Sequence, residues 1–229
     1  MEIEWKRLLE PEELRALSAE EILARLEAGL AHDEAAWEAE RGWRFWALRR
    51  AEHLELALYQ CPACETVGSM RSRRDRFFCV SCGLALNVDA RGTIRGARGE
   101  RPPFAAIRDW DRWQARAIRE YAVSRAEQRP DKPLFSDAGA VLLRGRRLNP
   151  LRPFRTGTLI LFPDRIELAT LIGERITFPL ERIEGISVLK RALLEFYMGR
   201  DLYQVRFPFR HISARKWMDA VSALSSVTK

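Results

Sequence analysis

Four cysteines are the residues of this chain whose type and spacing suggest a defined chemistry. They form two Cys-x-x-Cys pairs, Cys61 with Cys64 and Cys79 with Cys82, and 14 residues separate the pairs. Zn²⁺ prefers four thiolates at about 2.3 Å in a tetrahedron, and a two-residue spacer lets both sulfurs of a pair reach one ion. Because all four cysteines are then used, no coordination position stays open. The spacing therefore predicts a structural Zn²⁺ rather than a catalytic one.

Disulfides or a redox-active pair are the alternatives for these thiols. The first six residues lack the basic start and apolar middle of a secretory signal, so we expect the chain to be cytoplasmic. Reduced thiols in that compartment, and the equivalence of the two pairs, argue against both alternatives. No apolar run approaches the ~18 residues that a spanning helix needs, so any membrane association would be peripheral, at the inner face.

Arginine clusters supply a second kind of chemistry, the binding of anions. The chain has a net charge of +7 although residues 1–60 carry 14 acidic and 8 basic side chains, so the positive charge lies further along the chain. One cluster precedes two phenylalanines between the cysteine pairs and comprises Arg71, Arg73, Arg74 and Arg76. Arginines beside aromatic rings can contact nucleic-acid phosphates and stack on bases, or they can form a solvated hairpin tip.

The elements that must position these residues follow from the spacing of the apolar side chains. Residues 1–60 read as helical, with a capping box of Ser18 and Glu21 and a further helix expected over residues 43–58. Short strands around the cysteines predict a zinc ribbon over residues 61–101. A linking helix is expected within residues 102–131.

From residue 132 onward the apolar pattern changes to a period of two. Seven short strands are predicted, at residues 141–143, 157–162, 165–169, 175–178, 186–188, 193–197 and 202–207. An amphipathic helix over residues 213–224 follows them. Seven strands capped by one helix resemble the pleckstrin-homology or GRAM-like barrel, in which the last helix plugs an open corner. The predicted fold class is therefore α+β, with this barrel as a domain over residues 132–229.

The second arginine cluster is expected on the loop between the first two barrel strands. It comprises Arg144, Arg146, Arg147, Arg152 and Arg155. The resemblance to pleckstrin-homology domains implies that this loop holds anionic lipid headgroups, and cations near an anionic membrane surface can each contribute about 1 kcal/mol. An ordinary exposed loop is the alternative.

Further segments extend the resemblance over nearly the whole chain. They are residues 51–55 and 58–59 before the first cysteine pair, residues 109–114 with two tryptophans, and residues 178–187 in the barrel. In this order they resemble the C-terminal, non-catalytic region of bacterial 1-acyl-glycerol-3-phosphate acyltransferases, in the lysophospholipid acyltransferase family. The resemblance implies a partnership with an acyltransferase catalytic domain, in the same chain or in a separate one.

One departure from that family limits the function that the resemblance implies. Its catalysts use a His-x-x-x-x-Asp motif, in which the carboxylate orients an imidazole that deprotonates the acceptor hydroxyl. The fifth residues after His32, His53 and His211 are Trp37, Leu58 and Lys216, so the motif is absent. We therefore expect an accessory module of phospholipid synthesis. A zinc-ribbon nucleic-acid-binding protein and a protein-protein scaffold remain the alternatives.

Overall fold

The computed structural model describes residues 7–31, 33–44, 46–146, 149–190 and 192–226. The chain divides into two compact units, Met1–Trp43 and Arg44–Lys229. The described residues of the first unit form three helices, α1 (Pro11–Ala16), α2 (Ala19–Leu30) and α3 (Glu34–Arg41). The predicted capping box begins α2, since the N–H of Glu21 donates to the Ser18 hydroxyl at 3.3 Å and the N–H of Ser18 donates to the Glu21 carboxylate at 2.8 Å.

The prediction of a helix over residues 43–58 is wrong. In the described part of that stretch the only helical segment is a single 3-10 turn at Leu54–Leu56. The side chain of Arg50 instead donates to the carboxylate of Asp75 at 2.8 Å, and His53 adopts a left-handed backbone with φ 70°. Hydrogen bonds to the ribbon therefore override the helical spacing of the apolar residues, and this segment packs as part of the ribbon.

The ribbon is a four-stranded antiparallel sheet in the order β1-β2-β3-β4. Its strands are β1 (Met70–Arg73), β2 (Arg76–Cys79), β3 (Ala85–Val88) and β4 (Ile94–Gly96). Alternate residues point to one core, which buries Met70, Phe77, Leu86 and Ile94. The other face of the sheet presents the polar and basic residues of the same strands.

The linking helix α4 (Ile107–Gln128) contributes to two hydrophobic cores. Near its start, Trp110 is fully buried in the ribbon core. Two and three turns later, Ile118 and Ala122 are buried in the core of the larger sheet. Gln114 is fully buried between these two groups, so α4 joins the ribbon to the larger sheet.

The larger sheet has seven antiparallel strands in the order β8-β7-β6-β5-β11-β10-β9. They are β5 (Phe135–Arg146), β6 (Arg152–Leu161), β7 (Arg165–Thr170), β8 (Arg175–Pro179), β9 (Glu184–Leu189), β10 (Leu193–Met198) and β11 (Asp201–Arg206). All seven predicted strands form. Among the described residues β8 and β9 do not pair, so the sheet is not closed. The predicted α+β fold class is therefore confirmed, whereas the predicted barrel is not.

The last helix, α5 (Ala214–Ser225), packs against β9, β10 and α4. It buries Trp217 completely. A buried ion pair fixes the helix to β5, because the ammonium of Lys216 lies 2.8 Å from the carboxylate of Asp137. The indole N–H of Trp217 donates to the same carboxylate at 2.7 Å.

Candidate metal centre and basic surfaces

The four predicted cysteine ligands converge on one point. The Sγ atoms of Cys61 and Cys82 are 3.7 Å apart, as are those of Cys64 and Cys79, and all four sulfurs lie within 4.8 Å of one another. A tetrahedron with metal–sulfur bonds of about 2.3 Å has edges of about 3.8 Å. A disulfide requires a sulfur–sulfur distance of about 2.05 Å, so all four thiols are free. The site can hold a metal ion.

Two equivalent loops position the sulfurs. In the first loop the N–H of Glu65 donates to the carbonyl of Cys61 at 2.8 Å, and in the second the N–H of Gly83 donates to the carbonyl of Cys79 at 3.2 Å. Both Glu65 (φ 56°) and Gly83 (φ 78°) are in the left-handed region, immediately after the second cysteine of each pair. This repeated backbone geometry turns both sulfurs of each pair toward the same point.

The thiols of the cluster differ from one another in pKa. Burial raises the pKa of the Cys61 thiol. Burial acts in the same direction on Cys79, but hydrogen bonds with Ser69 and with the backbone N–H groups of Cys82 and Ser81 lower its pKa to about 6. Four thiolates at these distances repel one another strongly unless a cation lies between them. With all four sulfurs engaged, a bound ion has no open position for a substrate.

The outer face of the ribbon carries a row of polar residues that crosses all four strands. Arg73 lies directly opposite Arg76, which lies opposite Asn87, which in turn lies opposite Arg95. Cross-strand partners share a face of the sheet, so these side chains form one row. Phe78 lies two residues along β2 on the same face and is half-buried. The sequence indicated the first two arginines, whereas Asn87 and Arg95 join them only through strand pairing.

The other two arginines of this predicted cluster are placed differently. The guanidinium of Arg71 donates to the carbonyls of Gly68 and Met70 at 2.8 and 2.7 Å, so it is engaged within the ribbon. Arg74 is exposed in the β1–β2 turn with φ 58°.

The second arginine cluster lies on strands rather than on a loop. Arg144 and Arg146 belong to β5, and Arg152 and Arg155 belong to β6. Arg147 lies outside the described residues. The sequence predicted a longer loop here because the polar ends of β5 and β6 lack the apolar alternation found in the middle of each strand. Both ends nevertheless continue the hydrogen-bonded pairing of the two strands.

Strand pairing brings the cations of this cluster close together. Arg144 and Arg152 are direct cross-strand partners. The carboxylate of Asp201 lies 2.5 Å from the Arg144 guanidinium and 3.9 Å from that of Arg146. Among the described residues Arg152 has no acidic partner. Arg155 pairs with Glu174 at 2.7 Å. Among the described residues of this cluster, two carboxylates thus face four guanidinium groups at this end of the sheet, which we call the basic end.

An exposed apolar turn lies beside the basic end, and sequence reasoning did not single it out. Leu171 and Ile172 form the tip of the β7–β8 hairpin, and these residues are 90% and 81% exposed. An open cavity of about 340 Å³ separates this tip from Phe154 and Arg155 of β6. The sequence signal was a pair of aliphatic residues immediately before Gly173, at a turn where polar residues are usual.

Comparison with known proteins does not identify the chain. No protein-family model matches it, and no curated protein is significantly similar to it. No helix in the described ranges combines the length and the apolar composition needed to cross a bilayer.

Proposed function

We propose that this chain is a non-catalytic accessory module that holds a phospholipid-synthesising acyltransferase at an anionic membrane surface. The observation that carries the proposal is the direct pairing of Arg144 with Arg152 at the end of the sheet where Arg146 and Arg155 also lie. Like charges directly opposite one another destabilise a sheet. Asp201 pairs with Arg144, whereas Arg152 has no acidic partner among the described residues, so a bound anion would offset the remaining positive charge. Phosphates at the inner face of a membrane are such anions.

The sheet topology supports the pleckstrin-homology or GRAM-like interpretation of this domain. The two outermost strands of the sheet, β8 and β9, are unpaired with each other in the described residues, and α5 packs against β9 and β10. This arrangement agrees with an open corner that the last helix covers. The basic end lies on the first two strands of that domain, where the resemblance implies headgroup contact.

We assign a structural role and the identity Zn²⁺ to the ion of the metal centre. Four thiolates in a closed tetrahedral set favour Zn²⁺ over hard cations, which prefer oxygen ligands. Elemental analysis of protein purified without added metal should give about one zinc per chain. Zinc near zero in carefully handled protein would contradict the assignment.

Flotation with vesicles tests the membrane contact. Vesicles of phosphatidylcholine with phosphatidylglycerol should carry the protein upward at low salt, whereas pure phosphatidylcholine vesicles should not. The double variant Arg146→Glu with Arg152→Glu should lose this binding. Arg206→Glu is the matched control, because Arg206 is an exposed arginine at the opposite end of the sheet. Failure of the wild-type protein to bind at low salt would remove the membrane part of the proposal.

The link to an acyltransferase has its own test. We expect the coding sequence upstream of this chain, or an adjacent gene, to encode a domain with the His-x-x-x-x-Asp motif. Absence of such a domain from both places would leave the acyltransferase part of the proposal without support, while the vesicle results would stand.

A second candidate function is nucleic-acid binding by the ribbon. The row of Arg73, Arg76 and Arg95 beside Phe78 favours it, because cations and a half-buried aromatic ring share one face of the ribbon. Arg95 is also paired with Asp89 at 2.8 Å, so the double variant below changes Arg73 and Arg76. Gel shifts against single-stranded and duplex DNA over a salt series test it. Phosphate-driven binding must weaken steeply with salt, and Arg73→Glu with Arg76→Glu must abolish it. No shift at low salt would exclude this function.

A further inference from the structure

Exposure sets the β7–β8 turn apart from the rest of the larger sheet. Leu171 and Ile172 are 90% and 81% exposed, more than any other large apolar residue in that sheet. A soluble surface tolerates single exposed apolar residues, but two adjacent aliphatic side chains at the tip of a hairpin form a compact apolar projection.

The backbone of the turn is closed on itself, so the two side chains are presented by a defined structure. The N–H of Gly173 donates to the carbonyl of Thr170 at 3.1 Å, and the N–H of Thr170 donates to the carbonyl of Glu174 at 2.8 Å. Gly173 supplies the left-handed backbone, with φ 83°, that a three-residue hairpin loop requires. These internal hydrogen bonds reduce the number of polar groups that must be desolvated when the tip enters an apolar medium.

One cation, the guanidinium of Arg155, flanks the tip on the side of β6. Arg155 is partly exposed and is held beside the turn by its ion pair with Glu174. Its guanidinium also lies 4.7 Å from the ring centre of Phe154, which lines the same cavity as Leu171 and Ile172. An apolar projection with a basic margin matches the layering of an anionic bilayer, in which phosphates surround an apolar interior.

We propose that Leu171 and Ile172 insert into the acyl region of an anionic membrane while the basic end contacts its phosphates. This inference rests on the proposed membrane function and specifies how the protein is held there. The apolar tip contributes binding that salt does not screen, whereas the contribution of the arginines falls as salt rises. The protein therefore retains part of its vesicle affinity at high salt.

The double variant Leu171→Ser with Ile172→Ser separates insertion from electrostatic adsorption. We expect its affinity for vesicles of phosphatidylcholine with phosphatidylglycerol to fall at least about tenfold and its residual binding to vanish at high salt. Leu189→Ser is the matched control, because Leu189 is an exposed leucine at the opposite end of the sheet and should leave the affinity unchanged. Both residues of the tip are exposed, so circular dichroism should show an intact fold.

A depth measurement gives an independent readout. In the variant Ile172→Trp, brominated phospholipids in the vesicles should quench the added tryptophan more than they quench the fluorescence of the wild-type protein. If the wild-type protein binds vesicles but the serine variant binds equally well, and the added tryptophan is not quenched, the insertion is refuted while the proposed function survives. If the wild-type protein does not bind at all, both fail.

Discussion

Removal of the metal should unfold the ribbon and leave the larger sheet folded. Within the described part of the chain the ribbon core contains ten buried residues, two of which are the proposed ligands Cys61 and Cys79, whereas the core of the larger sheet contains 24. Structural zinc contributes about 10–16 kcal/mol in small zinc-binding peptides, which is comparable to the 5–15 kcal/mol that stabilises a typical whole domain. The ribbon core is too small to compensate for such a loss.

Hydrogen exchange measures this directly. In the variant Cys61→Ser, or after chelation, a loss of at least about 5 kcal/mol in the ribbon corresponds to a fall of more than about a thousandfold in the protection of β1–β4 amides. Amides of β5–β11 should keep their protection. Ser81→Ala is the control, because Ser81 lies between two ligands but contributes only its backbone N–H, at 3.3 Å from the sulfur of Cys79. Equal loss of protection in both sheets, or none in either, would refute this reasoning.

Three further changes have defined outcomes. Asp137→Ala leaves the buried Lys216 ammonium and the Trp217 N–H without their acceptor, so chemical denaturation should show a loss of about 3–5 kcal/mol in unfolding free energy. The double variant Lys216→Met with Asp137→Leu should recover most of that loss. Burial lowers the pKa of His211, so the folded state binds fewer protons than the unfolded state. The unfolding free energy should therefore fall as pH drops below about 6.5, and it should fall less steeply in His211→Gln. Gln114→Leu removes the acceptor of two buried N–H groups and should cost about 1–3 kcal/mol in the same assay.

Local patterns predicted the regular elements of the chain well. All seven strands after residue 132 and the helix containing Trp217 follow from alternating or helical spacing of apolar residues, since each buries one face. The convergence of the four cysteines was equally predictable, because two Cys-x-x-Cys loops specify their own geometry. The missed segment at residues 43–58 had the spacing of a helix, but the contact of Arg50 with Asp75, 25 residues away, determines its path.

Local sequence patterns could not predict which side chains lie together on one face of a sheet. Arg95 joins Arg73 and Arg76 through two successive strand pairings, and Arg144 faces Arg152 because β5 and β6 continue past their apolar segments. Each juxtaposition depends on a register that only the folded sheet defines.

The cysteine cluster and the basic end lie in different parts of the second unit, which are joined by α4 and by the segment just before Cys61. Just before the first ligand, the hydroxyl of Tyr59 donates to Asp219 of α5 at 2.8 Å, while its N–H donates to Gln114 of α4 at 2.8 Å. The ring of Tyr59 lies in the core of the larger sheet, so this anchor does not depend on the metal. Chelated protein should therefore keep its affinity for anionic vesicles. If nucleic acid binds the ribbon, the same treatment should abolish that binding, because the row of arginines exists only while β1–β4 are paired. Loss of vesicle binding on chelation would mean that the ribbon itself contributes to the membrane contact.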